Sequence, residues 1–381
     1  MNILFISNVH PTPVRPSQGT FNAELVRALR AGGHMVRIIV PVPWHQRLLA
    51  WKAHRHASDI WYPAFWYPPG AFRSSYHRWM GWSIGRAASQ ASAEGWADAV
   101  IAFWIHPDGR VAADLAHSLA VPVILIAGGS DLLVVTADPA RAREVGRTLA
   151  MADAVLAEGR HLVDRAVALG ARSSTTHVFR RGVDASRFSP GNQLDARRAL
   201  GLPKDEQVVL WAGSMVGIKG VDLLLRAHAE LVQPRPLLAL IGDGPERRSL
   251  EQLAAELGTS QQVHFSGRLP HDELVTWYRA ADVFALPSLS EGTPNVLQEA
   301  SACGLPFVAT DVGAVRELAT GADRVVPTRD PAEFGAAIAV VLATAGERHG
   351  KVAVTRPWSS AIAQIEQVLG ETGRVDGHVT T

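Results

Sequence analysis

Along nearly the whole chain, short runs of consecutive apolar residues alternate with longer stretches whose apolar positions return every three or four residues. In the first half, Ile3–Ser7, Val36–Val40, Ala99–Phe103, Val121–Ala127, Ala154–Ala157 and Thr176–Phe179 read as strands, with amphipathic helices over Asn22–Ala31, Gly109–Leu119 and Ala140–Met151. Unbroken apolar runs mark strands covered on both faces, the usual condition of a parallel sheet. The second half repeats the rhythm with Val208–Ala212, Leu237–Gly242, Val263–Ser266, Val283–Pro287 and Pro306–Ala309, separated by helices near 221–232, 245–257, 271–280, 294–303 and 331–344. The alternation predicts an α/β protein of two doubly wound, Rossmann-like domains facing across a cleft.

Pro190, Gly191, Gly201 and Pro203 interrupt polar sequence over Ser189–Gln207. The expected domains are therefore 1–188 and 189–357. Trp358–Leu369 has helical spacing and is expected to pack back toward the first domain, and 370–381 reads as a disordered tail.

Composition narrows the partners. The 381 residues are enough for two cores, and the net charge of +1 lacks the basic field that nucleic acid requires. That total conceals +7 over residues 1–190 and −6 over 191–381, so the two halves are expected to face different ligands. Cys303 is the only cysteine, which excludes an internal disulfide. No apolar run approaches the ~18–20 residues that span a bilayer, and Met1–Ser7 reads as a strand rather than a signal peptide. The expectation is a cytoplasmic protein able to touch the inner face of the cytoplasmic membrane.

In open parallel sheets, ligands sit beyond the carboxyl ends of the strands. The richest such junction is Pro287-Ser288-Leu289-Ser290-Glu291-Gly292-Thr293-Pro294-Asn295-Val296-Leu297-Gln298-Glu299. Thr293 suits an N-cap and Pro294 a first helical position, leaving free N–H groups near 294–296 to meet phosphate or sugar hydroxyls. Glu291 and Glu299 can bracket a polyhydroxylated ligand, although an acidic loop stabilised by the helix dipole has the same appearance.

The run from Glu291 through Glu299 to Cys303-Gly304-Leu305-Pro306 resembles the signature of the retaining nucleotide-sugar glycosyltransferases of family 4, which have the GT-B fold. Ile241-Gly242-Asp243-Gly244-Pro245, Phe265-Ser266-Gly267-Arg268-Leu269 and Ala280–Ser288 are similar to further family elements, in family order, as are Ile6-Ser7-Asn8, Gly19 and Phe21 at the start. The resemblance implies transfer from a nucleoside diphosphate sugar to a glycan or lipid-linked acceptor. It implies that Glu299 holds the ribose hydroxyls and that Lys219 stabilises the departing diphosphate. Glu291 with Gly292, Thr293, Pro294, Asn295 and Val296 addresses the transferred sugar, while Gly19, Gly213, Ser214 and Arg268 complete the donor site. Lys219 and Glu291 are the implied catalytic pair.

The sequence departs from the family pattern at three sites. Ser214 stands where an Arg is common, Gly128 where many relatives carry a His, and Arg180-Arg181 where a Pro-Asn pair is usual. His106 is a candidate for the acceptor site or part of a capping loop. Asp131 either orients the acceptor or caps the next helix. No Asp-x-Asp clamp is present, so neither metal nor other cofactor is expected. A non-catalytic subunit of the same fold and a nucleotide-sugar epimerase are the rival readings.

Eight of the 11 Trp residues lie between positions 44 and 104. Within 44–86, Trp44, Trp51, Trp61, Trp66, Trp79 and Trp82 accompany six Lys or Arg and the single acid Asp59. Core packing, sugar stacking and an anionic membrane surface are all consistent with that composition.

Overall fold

The computed structural model describes residues 1–16, 18–49, 59–327, 329–344 and 356–375. The chain divides into two compact units, Met1–Arg181 with Trp358–Thr381, and Gly182–Pro357. Trp51, Lys52, His54, Arg55 and His56 of the tryptophan-rich segment lie outside the described residues.

In unit 1, strands β1 (Asn2–Ile6), β2 (Met35–Ile39), β3 (Ile60–Trp61), β4 (Ala99–Phe103), β5 (Val123–Ala127), β6 (Ala154–Ala157) and β7 (Thr176–Val178) form one parallel sheet in the order β3-β2-β1-β4-β5-β6-β7. Side chains alternate between the faces, so Leu4, Ile6, Val100, Ala102 and Leu125 enter one core while Ile3, Phe5, Ile101, Phe103 and Ile124 enter the other. Helices Tyr76–Ala91, Arg110–Leu119, Pro139–Met151 and Arg160–Leu169 cover the first core. Thr20–Ala31 and the last helix, Trp358–Val375, cover the second.

The last helix is fixed to unit 1 by Ile362, Ile365, Val368 and Leu369, all buried in the second core. Each such side chain is worth roughly 1.5–3 kcal/mol. His34 Nε2 meets Glu366 Oε1 at 2.9 Å, and Gln364 Nε2 donates to the Val178 carbonyl at 2.7 Å. The helix continues through Val375, so residues 370–375 are helical rather than part of a tail, and 376–381 lie outside the described residues.

Unit 2 contains β8 (Val208–Ser214), β9 (Leu237–Asp243), β10 (Val263–Gly267), β11 (Val283–Leu286), β12 (Phe307–Thr310) and β13 (Arg324–Val326) in the order β10-β9-β8-β11-β12-β13, all parallel. In both sheets the order reverses beside the first strand, at β1/β4 and β8/β11. Loops diverge at such a switch point and leave a crevice beyond the strand ends.

The division falls at Gly182 rather than at Ser189, because Val183 and Phe188 are buried in the core of unit 2. Arg279 Nε also donates to the Ser189 carbonyl at 2.9 Å. Helix Tyr76–Ala91 gives no sequence stripe because tryptophans occupy its outer face as well. Strands β3 and β13 are too short and too polar at their borders to read as apolar runs.

Candidate functional site

Strand β8 ends at Gly213-Ser214, in register with Gly242 and Asp243 of β9. The chain then makes a single 3-10 turn, Gly217–Lys219, and enters helix Val221–Ala229 through Gly220. Gly220 has φ +62, and a Cβ there would lie 2.2 Å from the Pro287 carbonyl oxygen. Only glycine permits this left-handed close approach. The Leu289 N–H donates to the Ile218 carbonyl at 2.8 Å, so the turn carrying Lys219 is tied to the loop that follows β11.

That loop places Lys219 Nζ 2.7 Å from Glu291 Oε1, and Ser288 Oγ donates to the same oxygen at 2.6 Å. The Lys219 side chain is 28% exposed and that of Glu291 10%. The loop is braced on its other side. Thr310 Oγ1 donates to the Ser288 carbonyl at 2.5 Å, and the Ala314 N–H to the Gly292 carbonyl at 2.9 Å. A cation and a carboxylate are thus brought together from positions 72 residues apart, beside the switch point of unit 2.

The helix after this loop spans Asn295–Ala302, one residue shorter at its start than the sequence suggests. Thr293 and Pro294 are buried, and Pro294 occupies the cap position with φ −72 and ψ 111 instead of the first helical turn. A residue before proline is held out of the helical region, so the helix does not begin before Pro294. Proline has no N–H and Leu297 N–H bonds to the Pro294 carbonyl, so the donors left at this terminus are Asn295 and Val296.

Glu299 forms a separate group. His271 Nε2 meets its Oε1 at 2.9 Å, and the Tyr278 hydroxyl donates to its Oε2 at 2.9 Å. Burial, then the neighbouring Glu299, hold the Tyr278 hydroxyl well above the usual tyrosine range, so Tyr278 remains a donor. Neither His271 nor Tyr278 is legible as a site residue, since each is one polar residue in an ordinary helical pattern. Arg268 is exposed just beyond β10, and Ser214 is exposed at the end of β8.

Gly19, the one expected donor residue in unit 1, has φ +64 at the start of helix Thr20–Ala31 and abuts the Val9 carbonyl. His106 follows β4 and is buried. Its Nε2 donates to the Arg73 carbonyl at 3.3 Å and its Nδ1 has no partner among the described residues. Burial lowers its pKa to about 4, so it is a neutral imidazole at pH 7. Asp131 is fully buried. Its Oδ2 accepts from the Ile105 N–H at 3.1 Å, and its Oδ1 from the N–H groups of Gly129 at 2.9 Å and Leu132 at 3.2 Å. It therefore binds the loop after β5 to the loop after β4, with both carboxylate oxygens engaged by backbone N–H groups.

Two buried carboxyls, Asp108 and Glu158, carry no signal in the sequence pattern. Burial pushes each carboxyl up to about 7, with Arg181 opposing the rise at Glu158. Arg181 pairs with Glu158 and lies 4.0 Å from the centre of the Phe21 ring. Gly128 has no room for a side chain. A Cβ at Gly128 would lie 2.4 Å from Phe103 Cζ, so the Phe103 ring occupies the volume that a side chain at 128 would need.

A family model described as "Glycosyl transferases group 1" matches residues 192–351. The putative teichuronic acid biosynthesis glycosyltransferase TuaC of Bacillus subtilis (strain 168) is 30% identical over 84% of this chain and 83% of that protein. Among solved structures, the sucrose-phosphate synthase of Thermosynechococcus elongatus superposes with a TM-score of 0.81 at 22% identity, covering 98% of this chain and 100% of that one. Anabaena Alr3699/HepE in complex with UDP-glucose gives 0.72 at 19% identity, covering 97% and 100%. These structural likenesses establish the two-domain GT-B fold.

Proposed function

Because the chain belongs to the family of glycosyl transferases group 1, we propose that it moves a sugar from a nucleoside diphosphate sugar to a glycan or lipid-linked acceptor. We place it in family 4, retaining the anomeric configuration and serving cell-surface polysaccharide synthesis on the cytoplasmic side of the membrane. The observation that carries this reading is the Lys219–Glu291–Ser288 cluster beside the switch point of unit 2. A lysine on a glycine-tied turn is a compact cation suited to a diphosphate. The complex of the HepE neighbour with UDP-glucose supports the donor class, and the name of the TuaC relative supports the acceptor class.

As the bond between C1 of the sugar and the phosphate oxygen breaks, Lys219 and the N–H groups of Asn295 and Val296 take up the developing negative charge. The acceptor hydroxyl oxygen bonds to C1 on the same face, and its proton passes to the departing phosphate oxygen. This route needs neither a separate base nor a metal ion. Glu299, its two oxygens oriented by His271 and Tyr278, accepts from the ribose hydroxyls, and Glu291 addresses the transferred sugar. The acceptor is assigned to the carboxyl edge of the unit 1 sheet, near Gly19 and His106.

The first test compares thermal stabilisation by UDP, GDP and ADP, then measures transfer from the matching donor in the presence of a chelator. Transfer that survives chelation but is lost in Lys219→Ala and in Glu299→Ala supports the reading. Full activity in both variants refutes the site. Release of free sugar with changed configuration marks an epimerase instead.

A further inference from the structure

Unit 1 presents a ridge of aromatic and cationic side chains that the transfer site does not use. On helix Tyr76–Ala91, Met80, Ile84, Ala87 and Ala91 enter the core, leaving Arg78, Trp79, Trp82 and Arg86 on the outside. Trp82 is 75% exposed and Trp79 42%. Phe72, just before the helix, is 73% exposed although its φ of +52 is unfavourable for a bulky residue. Among the described residues, no burial of its ring offsets that strain. Trp66, 42% exposed, joins the ridge through its backbone N–H, which donates to Ser83 Oγ at 3.0 Å.

The ridge stands on a packed base. Phe65 and Tyr67 rings are 4.6 Å apart, Tyr67 and Tyr76 rings 4.9 Å, and the Tyr76 hydroxyl donates to the Pro68 carbonyl at 3.0 Å. Arg73, Arg78 and Arg86 are exposed, and among the described residues no carboxylate lies within ion-pair distance of them. The helix itself contains no acidic residue.

We infer that this ridge docks unit 1 on an anionic phospholipid surface. Trp rings favour the headgroup level of a bilayer, and cations beside them meet anionic lipid. No helix among the described residues is long and apolar enough to cross a membrane, so the contact is peripheral. A second copy of the chain is a poorer occupant, because a two-fold pairing sets this patch against itself and the helix offers no carboxylate to meet these arginines. The helix start adjoins the turn after β4, since the Arg73 carbonyl accepts from His106 and the His77 and His106 rings are 5.3 Å apart. The docking face thus borders the loops assigned above to the acceptor, but it stands on its own observations and survives if that assignment fails.

Flotation of the full chain with phosphatidylcholine vesicles, with and without phosphatidylglycerol, tests the inference. The protein should float only with the anionic vesicles and be released by high salt. R78Q/R86Q should weaken partitioning roughly 30-fold, at ~1 kcal/mol per arginine. Phe72→Ser/Trp79→Ser/Trp82→Ser should remain unfloated with unchanged thermal unfolding, since those side chains contribute little to the core. Lys219→Ala should float like the unaltered chain, which separates this inference from the transfer site. Failure of the unaltered chain to float, equal flotation of the triple variant, or a lipid-free dimer dispersed by that variant would each overturn it.

Discussion

Lys219 and Glu291 contact one another directly, so a diphosphate that binds Lys219 must compete with the carboxylate for the ammonium. Glu291→Gln keeps the side-chain shape and an oxygen for Ser288 and Lys219, but removes the charge that competes. A hydrogen bond to a charged group is worth about 1.5–3 kcal/mol. Lys219 is 28% exposed, so solvent screening puts this pair near the lower limit. About 1.4 kcal/mol is a tenfold change in Kd. The expected result is therefore roughly tenfold tighter binding of the nucleoside diphosphate to Glu291→Gln and roughly tenfold weaker binding to Lys219→Ala, with sugar transfer reduced in both. Isothermal calorimetry at fixed salt and pH reads the affinities, and a product assay reads the transfer. Weakening of nucleotide binding by Glu291→Gln to the same degree as by Lys219→Ala would refute the competition, because the carboxylate would then be helping to build the diphosphate site.

Tyr278→Phe removes the hydroxyl that orients Glu299 at 2.9 Å. It should cost about 1.5–3 kcal/mol in urea unfolding and weaken nucleotide binding; unchanged affinity would show that the orientation is unused. Gly128→Ala drives a methyl group to 2.4 Å from Phe103 Cζ. It should destabilise unit 1 by about 1–3 kcal/mol, read by tryptophan emission during unfolding, and pairing it with Phe103→Leu should recover part of the loss. Asp108 is raised from 3.8 to about 7 by burial, so its contribution to stability is fully present below pH 3.8 and is lost as the pH rises through 7. Asp108→Asn cannot ionise, so its stability relative to the unaltered chain should improve by roughly 2–3 kcal/mol between pH 5 and pH 8; an unchanged difference would refute burial as the cause.

Most of the architecture is legible because parallel strands buried on both faces leave an unambiguous mark. Ala99–Phe103, for example, is apolar throughout and fully buried in β4. What escapes sequence reading is structure whose cause lies elsewhere in the chain. Gly182–Phe188 looks like part of the first domain until Val183 and Phe188 are seen in the other core. Helix Tyr76–Ala91 is hidden because its solvent face carries the residues expected of a core. That same ambiguity kept three readings of the tryptophan cluster open. The structure divides the cluster by residue, with Trp61, Trp96 and Trp104 packed against the core and Trp66, Trp79 and Trp82 facing outward.

The site follows the same logic at finer scale. A motif identifies the residue that meets a ligand, because spacing within one loop is local; it does not identify the residue that holds the first in place. Glu299 belongs to a recognisable run, whereas His271 and Tyr278, which fix its two oxygens, are 28 and 21 residues away and follow no pattern. Gly128 shows the converse. Read alone, it is a lost histidine; read with Phe103, it is one half of an exchange in which a ring from β4 fills the space that a side chain on the β5 loop would require. Such an exchange is not reversed by one substitution. Restoring histidine at 128 requires a smaller residue at 103, and Phe103 is held by the Phe21 ring at 5.0 Å and by the Arg181 guanidinium at 5.1 Å. Arg181 is in turn paired with the buried Glu158. Gly128, Phe103, Phe21, Arg181 and Glu158 thus form one connected set of contacts in unit 1, in which removing the Phe103 ring would leave a void and removing Arg181 would leave Glu158 buried without its cation.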